Sequence, residues 1–166
     1  KIGLPFWLGG GYGSRDKYRE ALALGAAGIQ MGTPFALCVE SGLAPGLRRA
    51  LVAKALAGKG RVFTDALASP TGFPFKVAEL EGTLSDPAEY AQRQRVCNLG
   101  FLREAYRKAD GSLGYRCAAE PEAAWIAKGG KPEAATRRKC LCNALVANIG
   151  LPGLQPDGSP ELPLVT

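Results

Sequence analysis

Two short glycine-rich stretches carry the groups best suited to hold an anion. Gly9-Gly10-Gly11-Tyr12-Gly13 stands between an apolar run and Ser14, and Gln30-Met31-Gly32-Thr33 follows the small apolar pair Gly28-Ile29. Backbone N–H groups at a strand-to-helix turn attract phosphate, and glycine lets the anion approach closely enough to use them. Neither common nucleotide signature is written here. No Gly-Lys-Ser/Thr closes the first loop, and the second run ends in Gln30 and Met31 rather than in the acidic residue a ribose requires. A tight turn that binds nothing is the alternative reading of the glycine pattern taken alone.

The chain contains no histidine, which removes the commonest general base, the Ser-His and Cys-His nucleophile pairs and every histidine metal ligand. Glu40 is the carboxylate just beyond the second turn, and nothing in its neighbourhood suggests burial, so it is expected to be solvated. No catalytic residue is assigned. Cys97, Cys117, Cys140 and Cys142 are numerous enough for a zinc or iron-sulfur centre. Their spacing argues for buried structural thiols instead, because Cys140 and Cys142, two apart on one helix, would point about 200° from each other. No metal is expected, and Arg137-Arg138-Lys139 reads as a solvated face.

The elements that position the two turns read as strand, turn, helix, strand. Residues 2–8 form the first strand, Ser14 stands at a helix N-cap, and Tyr18, Ala21 and Leu22 fall at helical spacing before Gly25 stops the helix. The second strand covers 28–31. Two neighbouring parallel strands whose following turns both offer free amides match the phosphate site built after the seventh and eighth strands of a (β/α)8 barrel. Pro45 then opens a helix running to Gly58, the expected eighth barrel helix.

Beyond it the pattern is broken. A short extended run at 61–65, an irregular aromatic loop at 69–75, a polar helix at 86–95, a hairpin around Asp110-Gly111 and a helix at 122–128 follow in turn. The loop residues Phe73 and Phe75 are expected to plug this region onto the barrel. Residues 132–148 are the longest helical candidate. Residues 151–166, with four prolines among them, are expected to run extended over a surface without a core of their own.

The net charge of +6 is spread along the chain rather than gathered into an arm, so no nucleic-acid partner is expected. No apolar run approaches the roughly 18 residues of a membrane span. Five cysteines, an odd count in a chain too long for a disulfide miniprotein, favour reduced thiols and a cytoplasmic setting. The chain opens at Lys1 without an initiator Met, and it is expected to be part of a longer polypeptide.

The stretch PFWLGGGYGSRDKYREALALGAAGIQMGTPFALCVESGL resembles the last two strand-helix units of the nitronate monooxygenases, also called 2-nitropropane dioxygenases, which are FMN-dependent (β/α)8 barrels. RVFTDALASPTGFPFK and RKCLCNALVANIGL resemble the long C-terminal region of a bacterial subgroup. The resemblance implies an α/β fold class: the last two βα units of an FMN-binding TIM barrel in residues 1–58, and a mainly helical and irregular extension, 59–166, packed on the barrel. It assigns the FMN phosphate to Gly10 and Gly11 and to Gln30, Met31, Gly32 and Thr33.

The resemblance further implies oxidation of a small alkyl nitronate by molecular oxygen to a carbonyl compound and nitrite. Family members take the substrate proton with a histidine from the earlier half of the barrel, which also walls the flavin ring. Neither is present in this chain. The isolated chain is therefore expected to be inactive, with the missing N-terminal half as its partner. An FMN-dependent enoyl reductase of fatty-acid or polyketide synthesis shares the same barrel end. From a different class, a non-catalytic fragment or partner subunit also fits a chain without histidine.

Overall fold

The computed structural model describes residues 3–166, so residue 2 of the expected first strand lies outside the described residues. The chain divides into two compact units between Leu43 and Ala44.

In the first unit, Trp7–Leu8 (β1) and Gly28–Ile29 (β2) pair in parallel, Trp7 with Gly28 and Leu8 with Ile29. Between them in sequence lies the helix Arg15–Ala23 (α1), and Thr33–Ala36 (α2) follows β2. A parallel pair requires such a crossover, and the helix supplies it. Ser14 caps α1 by accepting from the Lys17 N–H at 3.3 Å. The helix ends in a Schellman turn: Gly25 takes φ 85°, its N–H donates to Leu22 at 2.9 Å, and Ala26 donates to Ala21 at 3.0 Å.

Ala21 and Ala26 are buried, whereas Phe6, Trp7, Leu22 and Leu24 remain exposed. Two strands cannot cover their own faces. The described strands form three two-stranded sheets and no closed barrel, so this is a mixed α/β chain with one parallel βαβ unit.

The second unit begins with Pro45–Leu56 (α3), the helix expected at 45–58. By compactness it groups with the C-terminal region. Ala44 donates to the Asn148 carbonyl at 2.7 Å. Two antiparallel hairpins follow, Val62–Asp65 (β3) with Phe75–Ala78 (β4), and Glu104–Arg107 (β5) with Leu113–Arg116 (β6). The helices are Pro87–Gln92 (α4), Glu122–Ala127 (α5), Pro132–Ala135 (α6) and Cys142–Ala147 (α7).

Val77, Leu84, Leu141, Ala144 and Leu164 form the core, with Phe63, Phe75, Tyr90 and Leu162 packed against it. Phe75 therefore serves this core, while Phe73 is exposed.

Two expectations are corrected here. Residues 132–148 are not one helix: Arg137 turns the chain at φ 61°, and α6 and α7 are separate. A left-handed residue cannot continue a right-handed helix. The C-terminal segment does not lie wholly on a surface: residues 151–160 are exposed or half-buried, but Glu161, Leu164 and Val165 are buried and the backbone there bonds into the unit. Leu84 donates to Pro163 at 2.8 Å, Ala78 to Val165 at 2.9 Å, and the Asn148 amide to Leu164 at 2.7 Å.

The core of the second unit draws on this same segment through Leu164 and Leu162. It forms because the terminal segment fills the gap that the short helices leave. Glu161 locks that segment in place, accepting from Arg93 Nε at 2.8 Å and 2.9 Å in a pair whose side chains are 3% and 1% exposed. Burial opposes the Arg93 charge, and the hydrogen bonds and charge of Glu161 outweigh it, so its pKa rises.

Candidate functional site

The two glycine-rich turns leave the C-terminal ends of adjacent parallel strands, and the register brings them side by side. Gln30 donates its N–H to the Leu8 carbonyl at 2.9 Å, extending the ladder by one residue into the second turn. A Cβ at Gly9 would lie 3.6 Å from Gln30 Oε1. A Cβ at Gly13 would lie 3.4 Å from Met31 Sδ and 3.5 Å from Pro34 Cγ. The first and last glycines of one loop thus lie against the first and second residues of the other.

Between those contacts the loop is open. Gly10 and Gly11 take φ 78° and 94°, values that L side chains rarely adopt, and a Cβ on either meets nothing within 4 Å. Among the described residues, no backbone N–H from Gly10 to Ser14, or from Met31 to Thr33, donates a hydrogen bond. Gly10, Gly11, Gln30, Gly32 and Thr33 are exposed and Met31 is half-buried. A row of undonated amides at the start of α1, beside a second such turn, attracts an anion through hydrogen bonds and the helix dipole together.

All six residues singled out in the sequence lie in this paired feature. Gly9 and Gly13 were missed as its contact points; their closeness to Gln30 and Met31 depends on strand register, which leaves no local mark. Glu40 is exposed. The Lys17 ammonium sits 5.8 Å from the centre of the Tyr12 ring and 2.6 Å from Glu20, whose hydrogen bond raises its pKa. Among the described residues no three His, Cys, Asp or Glu side chains are grouped at metal-binding distance, and no helix is long and apolar enough to cross a membrane.

An α/β chain with paired, amide-rich turns at the C-terminal ends of parallel strands is the class that fold and site define. Among known proteins, it is similar to a nitronate monooxygenase of Paraburkholderia phytofirmans (strain DSM 17436 / LMG 22146 / PsJN), with 32% identity over 129 residues. The match covers 75% of this chain and 34% of the relative, so the chain spans about a third of that protein's length. The relative bears the name of the oxidoreductase family that the glycine turns and the C-terminal motifs resemble. No protein-family profile and no solved structure matches the chain.

Proposed function

We propose that this chain is the C-terminal portion of an FMN-dependent nitronate monooxygenase, and that Gly10, Gly11, Gln30, Met31, Gly32 and Thr33 hold the cofactor phosphate. The observation that supports this most is the pair of adjacent turns with undonated amides and an open face at Gly10 and Gly11. The donor set suits a phosphate, because it offers many N–H groups and space, and neither residues 9–14 nor residues 30–33 include a carboxylate; Asp16 follows in the first turn of α1.

FMN, when bound, supplies the redox chemistry by which a nitronate is oxidised and molecular oxygen is consumed, giving carbonyl compound and nitrite. The residues of this chain bind and orient. The turn amides fix the phosphate, and the α1 dipole favours its negative charge. Substrate proton removal belongs to a group outside this chain, which holds no histidine and whose Glu40 is exposed. In this reading the extension of residues 59–166 packs on the completed barrel, and the cytoplasmic setting is part of it.

The test compares FMN with riboflavin, which lacks the phosphate, on the complete polypeptide stripped of flavin. FMN should bind roughly 100-fold more tightly, the order of three or so charge-assisted hydrogen bonds retained after desolvation. Equal affinity for the two flavins would remove the phosphate from the account.

A further inference from the structure

The run Arg137-Arg138-Lys139, which the sequence presents as a solvated face, lines a cleft in the second unit. The cleft encloses about 920 Å³, within the roughly 300–1,000 Å³ of small-molecule sites. Residues 135–139, which connect α6 to α7, form one wall, and residues 93–95, where the chain leaves α4, form another. Tyr90 of α4 joins the two, since its hydroxyl accepts from the Cys140 N–H at 3.0 Å.

Five cationic side chains and two carboxylates line this cleft. Arg93, Arg95 and Lys139 converge on the Tyr90 ring, with their cationic centres 5.8, 5.6 and 5.0 Å from its centre. Glu161 neutralises Arg93. The other two bond to backbone, Lys139 to the Leu84 carbonyl at 2.9 Å and Arg95 to those of Ala119 and Glu120 at 3.4 and 3.2 Å. A carbonyl satisfies a donor without cancelling its charge. Of the two carboxylates, Asp65 is engaged by the Leu67 and Ala68 N–H groups at 2.9 and 3.0 Å, and Glu122 is exposed at the start of α5. Burial lowers the pKa of the Lys139 ammonium, Asp65 opposes the shift, and Arg137 adds to it. Positive charge is in excess here.

Arg137 carries the argument furthest. It holds φ 61°, a left-handed conformation unfavourable for a residue with a Cβ, and its exposed side chain makes no hydrogen bond or ion pair with any described residue. Backbone strain that places an unpaired cation at the lining of a cleft is a mark of a binding site.

We propose that this cleft binds a small organic phosphate, with the phosphate or pyrophosphate group held among Arg95, Arg137 and Lys139. Guanidinium groups grip phosphate oxygens through paired N–H bonds, and the ammonium adds a point charge. Arg138 shapes the wall instead, because its guanidinium is committed to the carbonyls of Leu67 and Ser69 at 2.8 and 2.6 Å. A phosphate group fills a small part of the volume, and Phe63 and Pro87 offer apolar contact to the organic part.

The proposal does not depend on the flavin reading. Its test is calorimetric titration of the complete polypeptide, as purified, with inorganic pyrophosphate and inorganic phosphate in about 0.15 M salt. Pyrophosphate should bind at one site per chain and more tightly than phosphate, since it reaches more of the cations at once. Arg137→Gly removes the guanidinium and relieves the backbone, so it should fold and bind pyrophosphate about tenfold more weakly. Lys59→Gln, an exposed charge away from the cleft, should bind as wild type does. So should Gly11→Asp, which separates this site from the glycine turns. Absence of pyrophosphate binding, or unchanged affinity in Arg137→Gly, overturns the proposal. Loss of binding in Gly11→Asp overturns it too by moving the anion to the turns, and so does tighter binding of a single-stranded oligonucleotide, which would make the surface a general polyanion face.

Discussion

Gly9 and Gln30 meet where the two glycine-rich turns touch, with space for a Cβ at Gly9 only 3.6 Å from Gln30 Oε1 and 3.9 Å from its carbonyl oxygen. The contact fixes the second turn against the first. Gly9→Val should push Gln30 outward and widen the gap between the amide rows, weakening FMN about tenfold, or ~1.4 kcal/mol. Gly9→Ala, at ordinary van der Waals distance, should be nearly silent. Fluorescence titration of the stripped complete polypeptide measures both, and equal effects would show that the contact does not set the spacing.

The Arg93–Glu161 pair is the fastening of the C-terminal segment. Glu161→Gln leaves a buried guanidinium without its counter-charge and should cost about 3–5 kcal/mol of stability. Arg93→Met together with Glu161→Leu should recover most of that loss, since an apolar pair needs no desolvation of charge. Denaturant unfolding of the three proteins checks it, and a mild Glu161→Gln would mean that water reaches the pair.

Tyr90 gives a pH dependence with a definite sign. Its pKa is raised first by burial, against the Cys140 N–H, which donates to its hydroxyl at 3.0 Å, and against Arg95 and Arg93. The unfolded phenol ionises near ~10 and the folded one later. Its stabilising contribution is therefore full below about pH 10 and is lost as pH rises through the folded value. Tyr90→Phe should flatten stability across that range, and tyrosinate absorbance should show one phenol titrating later than the others. Unchanged curves would contradict the burial.

Arg137 occupies φ 61° without glycine's freedom. Arg137→Gly should stabilise the chain by about 1 kcal/mol, and a β-branched residue there should destabilise it by a similar amount. Urea midpoints read both. Loss of stability in Arg137→Gly would assign the side chain a contact that outweighs its backbone strain.

The first unit was legible because its signals are local. Ser14 caps where a cap residue precedes a periodic run, Gly25 stops α1 in the left-handed conformation, and the short apolar runs before each glycine turn pair as parallel strands. The second unit hid its organisation in contacts between distant residues. Glu161 reads as a solvated charge in a proline-rich tail until Arg93, far off in sequence, is seen to bury it. Leu162, Leu164 and Val165 have no periodicity to announce that they complete a core. Good helix formers at 132–135 and 142–147 suggested one helix, and the turn between them falls on an arginine, a residue type that gives no warning of positive φ.

The proposed phosphate cradle is tested most directly at Gly11, where an added side chain meets nothing within 4 Å. Flavin content of the purified complete polypeptide should be measured for wild type, for Gly11→Asp, and for Gly46→Asp, which makes the same charge change in the first turn of α3. The account predicts flavin near one per chain in wild type and in Gly46→Asp. It predicts less than about a tenth of that in Gly11→Asp, because a carboxylate at the turn repels the phosphate and blocks the amides. Full flavin occupancy in Gly11→Asp, with unchanged absorbance, would place the cofactor phosphate elsewhere and contradict it.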